Sequence, residues 1–261
     1  MGRNSKTMAL NKQSLVAYFD ILGYQSFLKN NADSEIESAE KVFKLVKSAP
    51  KEAVGFWLDV PPESNLGKWK PVIESIQSLV FSDTIVISCP VPESGPEAIH
   101  FMLLVGVAAH ITVKMFKNGL PVRGAITLGS FIFDDTCIAG RAVVDAYNLC
   151  QTLNVSGTAL SPDLSKLIDE KCANDKELIW DRNYPYYLFP LTDSKELKTR
   201  AVFCALPEKG SNIESEVREA FWKWSKDIPL SVDVKVSNTA KMLDFYQMHR
   251  RNIKIKEPEK T

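Results

Sequence analysis

Two apolar, strand-like runs, Ser14 to Phe19 and Leu79 to Ser88, are each interrupted by a single aspartate. Asp20 stands in Phe19-Asp20-Ile21-Leu22-Gly23-Tyr24 and Asp83 in Phe81-Ser82-Asp83-Thr84-Ile85. Buried strands exclude carboxylates, because an ionised carboxylate in apolar surroundings costs several kcal/mol unless something neutralises it. The fold must therefore bring positive charge to each aspartate, and a divalent metal is the obvious source.

The composition narrows the function classes. With 45% hydrophobic and 25% charged residues, the 261-residue chain can bury a large core in one big domain or two small ones. Lysine plus arginine balances aspartate plus glutamate at 32 each, so no global field favours nucleic acid or an anionic membrane. Neither is expected as a partner. Five cysteines, at 89, 137, 150, 172 and 204, form no Cys-x-x-Cys pair, which argues against structural zinc and for reduced cytosolic thiols. Met1 to Lys12 is polar and lacks the apolar stretch of a signal peptide, so a cytoplasmic location is expected. Ile99 to Phe116 is the one membrane-like stretch; it carries His100, His110 and Lys114, is broken by Gly106, and reads as a buried amphipathic helix.

Periodicity orders the chain. After the strand ending at Asp20, a helix is expected from Tyr24 to Asn30, and Ser34 caps a second whose apolar stripe, Ala39, Val42, Phe43, Leu45 and Val46, runs to Lys47. Pro50 to Pro71 reads as loop-like, punctuated by Pro61-Pro62 and Gly67 and carrying Phe56, Trp57 and Trp69 as an insertion or interface. Val72 to Phe81 and Thr84 to Cys89 read as a hairpin turning at Ser82-Asp83. A helix from about Glu97 to Asn118, a strand from Pro121 to Leu128, a loop from Gly129 to Thr136 and a helix from about Gly140 to Leu153 follow. This alternation indicates an α+β or α/β sandwich. Further strands are expected at Val155 to Leu160, Tyr184 to Leu191 and Arg200 to Ala205. Ser161-Pro162 opens another helix, and two more lie near Asn212 to Trp224 and Asn238 to Arg251. No repeat or low-complexity linker divides the chain. One domain over 13–251 is expected, elaborated from about 161, between flexible tails at 1–12 and 252–261.

Aspartates from a strand end and a hairpin tip can hold two divalent cations, one activating a hydroxyl and the other neutralising a triphosphate. Magnesium suits such a site because it takes few carboxylates and fills its remaining positions with substrate and water. The Ile21 carbonyl would complete the shell. Gly23 allows close backbone approach as a helix begins, so amides from Leu22 through Tyr24 to Gln25 would face a phosphate. The plain alternative is that Asp20 caps that helix and Asp83 sits in a turn. A third element is Val122-Arg123-Gly124-Ala125-Ile126-Thr127-Leu128-Gly129, with an arginine at the head of a strand.

Asp-Ile-x-Gly-aromatic at Asp20 to Tyr24, the turn aspartate Asp83, and Arg-x-x-Ile-x-x-Gly at Arg123 to Gly129 together resemble the catalytic core of class III nucleotidyl cyclases, over Leu15 to about Cys150. The resemblance implies a ferredoxin-like α+β core whose central, mainly antiparallel sheet is flanked by helices. It implies Asp20 and Asp83 as metal-binding catalytic residues, the Ile21 carbonyl as a further ligand, and Arg123 as a clamp on the terminal phosphates. It also implies two Mg²⁺ or Mn²⁺ per site, a nucleoside triphosphate substrate, and a homodimer with sites at the subunit interface.

The departures from the family pattern point to a particular branch. Adenine-reading members have a lysine where Leu79 stands and an aspartate where Cys137 stands, which counts against adenine, while a cysteine at the second position, where Cys137 would touch the base, is similar to guanine-making members. The helix after Gly140 should supply an asparagine and an arginine at positions occupied by Val144 and Asn148. Arg141, Asp145 and Asn148 are the polar candidates to replace them, with Tyr147 facing the base. The alternative is that Val143, Ala146 and Leu149 pack inward and those four face solvent. Tyr18 to Tyr24, Phe81 to Ile85 and Gly140-x-Ala-x-x-x-Ala146-Tyr147 are similar to the bacterial pyrimidine cyclases of the Pycsar anti-phage system. That similarity implies a uridylate cyclase, converting UTP to a 3′,5′-cyclic monophosphate that activates a separate effector. A CTP-specific enzyme and a nucleotide-binding regulatory module without turnover are the alternatives.

Overall fold

The computed structural model describes residues 13–59, 63–134, 137–173, 180–203, 205, 212–223 and 230–256. The expected tail at 1–12, residues 257–261 of the tail expected at 252–261, the Pro61-Pro62 step, Thr136, Cys204 and Trp224 lie outside the described residues, whereas 252–256 continue the last helix.

The apolar run that precedes Asp20 becomes β1 (Ser14–Ile21), which is buried along its length except at Asp20. Such a strand must be covered on both faces and paired on both edges. β3 (Thr84–Pro90) pairs with it on one side and β4 (Val122–Gly129) on the other, both antiparallel. β2 (Gln77–Phe81) adds outside β3 as the expected hairpin, and Ser82 takes a positive φ of 51° at its tip. The order β4-β1-β3-β2, with helices between β1 and β2 and between β3 and β4, is the ferredoxin-like split βαβ arrangement. Beyond β4 the sheet continues through β7 (Gly157–Leu160), parallel to β4, to β9 (Glu196–Val202) and β8 (Tyr186–Pro190), antiparallel again. The molecule is thus α+β, with a seven-stranded and mainly antiparallel central sheet flanked by helices.

Strand alternation sends Leu15, Ala17, Phe19 and Ile21 to one face and Val16, Tyr18 and Asp20 to the other. The first set packs on α4 (Ala98–Lys117), through Phe101, Leu104, Ala108 and Ile111, with α2 (Glu35–Asp59) outside it. α4 is long and apolar enough to span a membrane, yet 67% of that stretch is buried here as a core helix. The second face is covered by α5 (Arg141–Thr152), whose Ala142, Ala146 and Cys150 recur every fourth residue against Val16, Tyr18 and Ala125. Small residues let α5 lie close to the sheet. Gly140 ahead of it is obligatory, because a Cβ there would stand 2.3 Å from the Ser130 carbonyl oxygen.

Two expectations are corrected. Pro50 to Pro71 is largely helix, not loop: α2 runs past Lys47 to Asp59, and α3 (Glu63–Glu74) contains Pro71. An interior proline costs about 3 kcal/mol, but Ala49, Pro50 and Ala53 are all buried, and their packing outweighs the lost hydrogen bond. Because α3 takes up Val72 and Ile73, β2 starts only at Gln77. The expected loop after β4 carries a small two-stranded ribbon, β5 (Ile132–Asp134) with β6 (Cys137–Ala139). α1 (Tyr24–Asn30), α6 (Pro162–Lys171), α7 (Asp181–Asn183), α8 (Ile213–Trp222) and α9 (Leu230–Lys256) complete the described elements. Ser161 accepts from the Leu164 amide as the cap of α6, as its sequence implies.

Candidate active site

In the antiparallel register Asp20 stands directly opposite Arg123, and both occupy the face covered by α5. The Asp20 Oδ2 accepts from Arg123 Nε at 3.0 Å and Nη2 at 2.8 Å. The two side chains are 17% and 12% exposed, so this pair is poorly screened by water. The charge that compensates Asp20 in this structure is therefore a guanidinium from the neighbouring strand. Gln151, one helical turn beyond Asn148 on α5, closes the cluster. Its backbone carbonyl accepts from Arg123 Nη1 at 3.0 Å, its Oε1 accepts from Arg123 Nη2, and its Nε2 donates to Asp20 Oδ2 at 3.4 Å.

Asp83 reaches this cluster through the backbone. The Ile21 amide donates to the Asp83 carbonyl at 3.2 Å, which ties the hairpin tip to the residue after Asp20. Among the described residues the Asp83 carboxylate makes no hydrogen bond or ion pair, and Asp20 Oδ1 has no partner either. Burial raises the Tyr24 phenol above its ordinary pKa, and the Asp83 charge adds to the effect. Asp20, Ile21, Asp83 and Arg123 are thus gathered at one end of the central strands. The open oxygens of two carboxylates are hard donors of the kind that Mg²⁺ or Mn²⁺ accepts, although among the described residues no group of three or more His, Cys, Asp or Glu side chains converges on one point.

The other candidates are placed differently. Leu22 is buried, and its amide donates to the Pro121 carbonyl at 2.9 Å, so that N–H is not offered to a ligand. Gly23 is left-handed at φ 79° and opens α1, where its carbonyl accepts from Phe27. Arg141 and Asp145 pair with each other at 3.2 Å on the outer face of α5, and Asn148 is exposed on the same helix. Cys137 is exposed on the β5–β6 ribbon. None of these four hydrogen-bonds to the Asp20 cluster. Tyr147 does reach inward: its ring meets Tyr18 edge-on at 5.5 Å, and the Tyr18 hydroxyl bonds to Thr84 Oγ1 at 3.3 Å. Leu79 lies in β2 opposite Val86.

Two residues at the site escape a reading by motif. Gln151 lies beyond the part of α5 that the family pattern describes. Lys235 comes from α9, 112 positions after Arg123 in the chain. Asn238 and Thr239 dock α9 on the segment before β7, donating to the Asn154 carbonyl at 2.8 Å and accepting from the Ser156 amide at 2.9 Å. Ser156 in turn donates to the Val122 carbonyl at 3.0 Å, beside Arg123. Burial lowers the Lys235 pKa, and the Arg123 charge lowers it further while Asp20 opposes the shift. No carboxylate pairs with Lys235 among the described residues. Beneath the cluster, Cys150 donates to the Arg123 carbonyl at 3.5 Å, and burial pushes its thiol far above the ordinary range. It is an inert core residue.

No described protein family and no curated protein matches the chain by sequence. Among solved structures it is similar to the adenylyl cyclase CyaB from P. aeruginosa, at 15% identity over 76% of this chain and 97% of that one, with a TM-score of 0.42. It is also similar to the catalytic core of a rhodopsin-guanylyl cyclase with converted specificity, in complex with ATPalphaS, at 13% identity over 73% and 94%, with a TM-score of 0.44. Superpositions this loose say nothing about residue roles.

Proposed function

We propose that this protein is a nucleotidyl cyclase that closes a pyrimidine nucleoside triphosphate, UTP in preference to CTP, into its 3′,5′-cyclic monophosphate and releases pyrophosphate. The observation that carries the reading is the bond from the Ile21 amide to the Asp83 carbonyl, which sets the hairpin-tip aspartate beside the Asp20–Arg123 pair. Asp20, Asp83 and the Ile21 carbonyl would hold two Mg²⁺ or Mn²⁺ ions. Bound there, the ions supply acidity to the 3′-hydroxyl and countercharge to the triphosphate. With substrate bound, Arg123 would turn its planar fork of donors from Asp20 to the terminal phosphates, and Lys235 would add a second positive charge. Tyr147, stacked edge-on against Tyr18, is the aromatic residue positioned to meet the base. Catalysis then rests on positioning and charge stabilisation.

The pyrimidine preference is supported by Leu79 in place of a purine-reading lysine and by the motif similarity around Asp20, Asp83 and Gly140. An anti-phage second messenger acting on a separate effector is the role that similarity suggests. A homodimer is favoured because α5 leaves Val144 exposed on a face that a second subunit would cover. The competing reading, a nucleotide-binding regulatory module, draws on Val144 at a transition-state position and on the engagement of Arg123 by Asp20. Incubating the purified protein with Mn²⁺ and each of the four ribonucleoside triphosphates, followed by mass analysis, separates the two. Cyclic UMP is the expected product; binding without any cyclic product would favour the module.

A further inference from the structure

A cavity with a volume of about 640 Å³ lies away from Asp20, on the α4 side of the sheet. It lies among α2, α4 and α9, with Tyr184, Val202 and Phe203 at one side. None of its lining residues belongs to the Asp20 cluster. Its walls are flat rings: Phe56, Trp57, Tyr184, Phe203 and Tyr246. Phe203 and Tyr246 stack at 3.9 Å, while Phe56 stands 51% exposed at the other wall. Trp57 lies directly on the backbone of α4, where a Cβ at Gly106 would come within 2.1 Å of its ring. Its indole N–H is buried without an acceptor among the described residues.

The charges around this cavity do not balance. Glu52 is its one carboxylate, and Lys114 already pairs with it. Lys117 and Arg250 also line the cavity, and neither has a carboxylate partner among the described residues. Arg250 lies over the Tyr246 ring, 5.7 Å from its centroid. Burial, with Lys114 adding to it, lowers the pKa of His110 at the same wall. Aromatic faces beside uncompensated cations complement a planar ring that carries negative charge, and the volume falls in the range that encloses a small organic ligand.

We infer that this cavity is a second binding site, for a planar aromatic anion of mononucleotide size, held by the ring walls and by Lys117 and Arg250. It shares no residue with the proposed catalytic centre and does not depend on that assignment.

Calorimetric titration of the full chain in EDTA, which excludes metal-dependent binding, tests it with 5′-AMP, 5′-UMP, adenosine and inorganic phosphate. At least one monophosphate is expected to bind tenfold or more tightly than either adenosine or phosphate. The double variant Lys117→Glu with Arg250→Glu, changed at exposed or half-exposed positions, is expected to weaken that binding at least tenfold, and the milder Lys117→Gln with Arg250→Gln less. Arg123→Ala is expected to leave it unchanged. No binding, binding that both double variants retain, or binding lost in Arg123→Ala would each overturn the inference.

Discussion

The sheet holds two arginine–aspartate clusters, and they are built to opposite specifications. Arg200 on β9 is fully buried: it donates to Asp169 from Nε at 3.1 Å, to Asp181 at 2.8 Å and to the Tyr184 carbonyl at 2.8 Å, and it lies 4.9 Å from the Tyr186 ring centroid. Tyr186 donates its hydroxyl to the second oxygen of Asp169 at 2.8 Å. Around Arg123 the balance is reversed. One carboxylate is shared with Arg123, Lys235 stands close with no acid of its own, and Asp20 Oδ1 and Asp83 are left open. A buried arginine held by two carboxylates ties secondary structure together, whereas carboxylate oxygens left without a protein partner at a sheet end are free to meet water or a ligand. The same residue types therefore serve architecture in one place and, on our reading, chemistry in the other.

The comparison can be broken most severely at the carboxylates. Asp20→Ala or Asp83→Ala is expected to lower cyclic nucleotide formation about 10³-fold or more, roughly 4 kcal/mol in the barrier, while thermal unfolding shows both proteins folded. Full activity in either would remove the metal assignment. Next in size, Arg200→Met strands two aspartates and should cost about 3 to 5 kcal/mol in denaturant unfolding. Arg123→Met should cost less, because it removes the partner of one aspartate rather than two; equal losses would erase the distinction between the clusters.

Lys235→Met should raise KM for the triphosphate about tenfold, near 1.4 kcal/mol, with Lys235→Arg restoring most of it. Stability should hold or rise slightly, since a like charge beside Arg123 is removed. A drop in stability with unchanged KM would make Lys235 structural.

The smallest effect is one of pH. Burial foremost, with the Asp169 contact, pushes the Tyr186 phenol up to about 12, and burial does the same for Tyr184. The folded state thus keeps protons that the unfolded chain releases near the ordinary value of 10.0. Stability should be intact below that value and fall as pH rises towards 12. Tyr186→Phe should flatten this alkaline loss as followed by circular dichroism.

Much of this was legible from the residues, and the reasons are local. Ser14 to Phe19 and Thr84 to Cys89 are too apolar and β-branched to be anything but central strands, so β1 and β3 followed. Ala142, Ala146 and Cys150 mark the inner stripe of α5 at helical spacing, and Val143 and Leu149, inward in the alternative reading, pack half-buried at its edge; small residues lie innermost because α5 approaches the sheet closely. Pro50 misled because a proline's local cost is visible in sequence, while the burial that outweighs it is not.

By itself the sequence determined the central strands and the improbable aspartates at 20 and 83, because these depend on side-chain periodicity a few residues long. Only the tertiary structure decided that Asp20 faces Arg123, that Asp83 is tied to Ile21, and that Gln151 and Lys235 join them. Those choices depend on strand register and helix docking, which bring charges together across more than a hundred residues of chain.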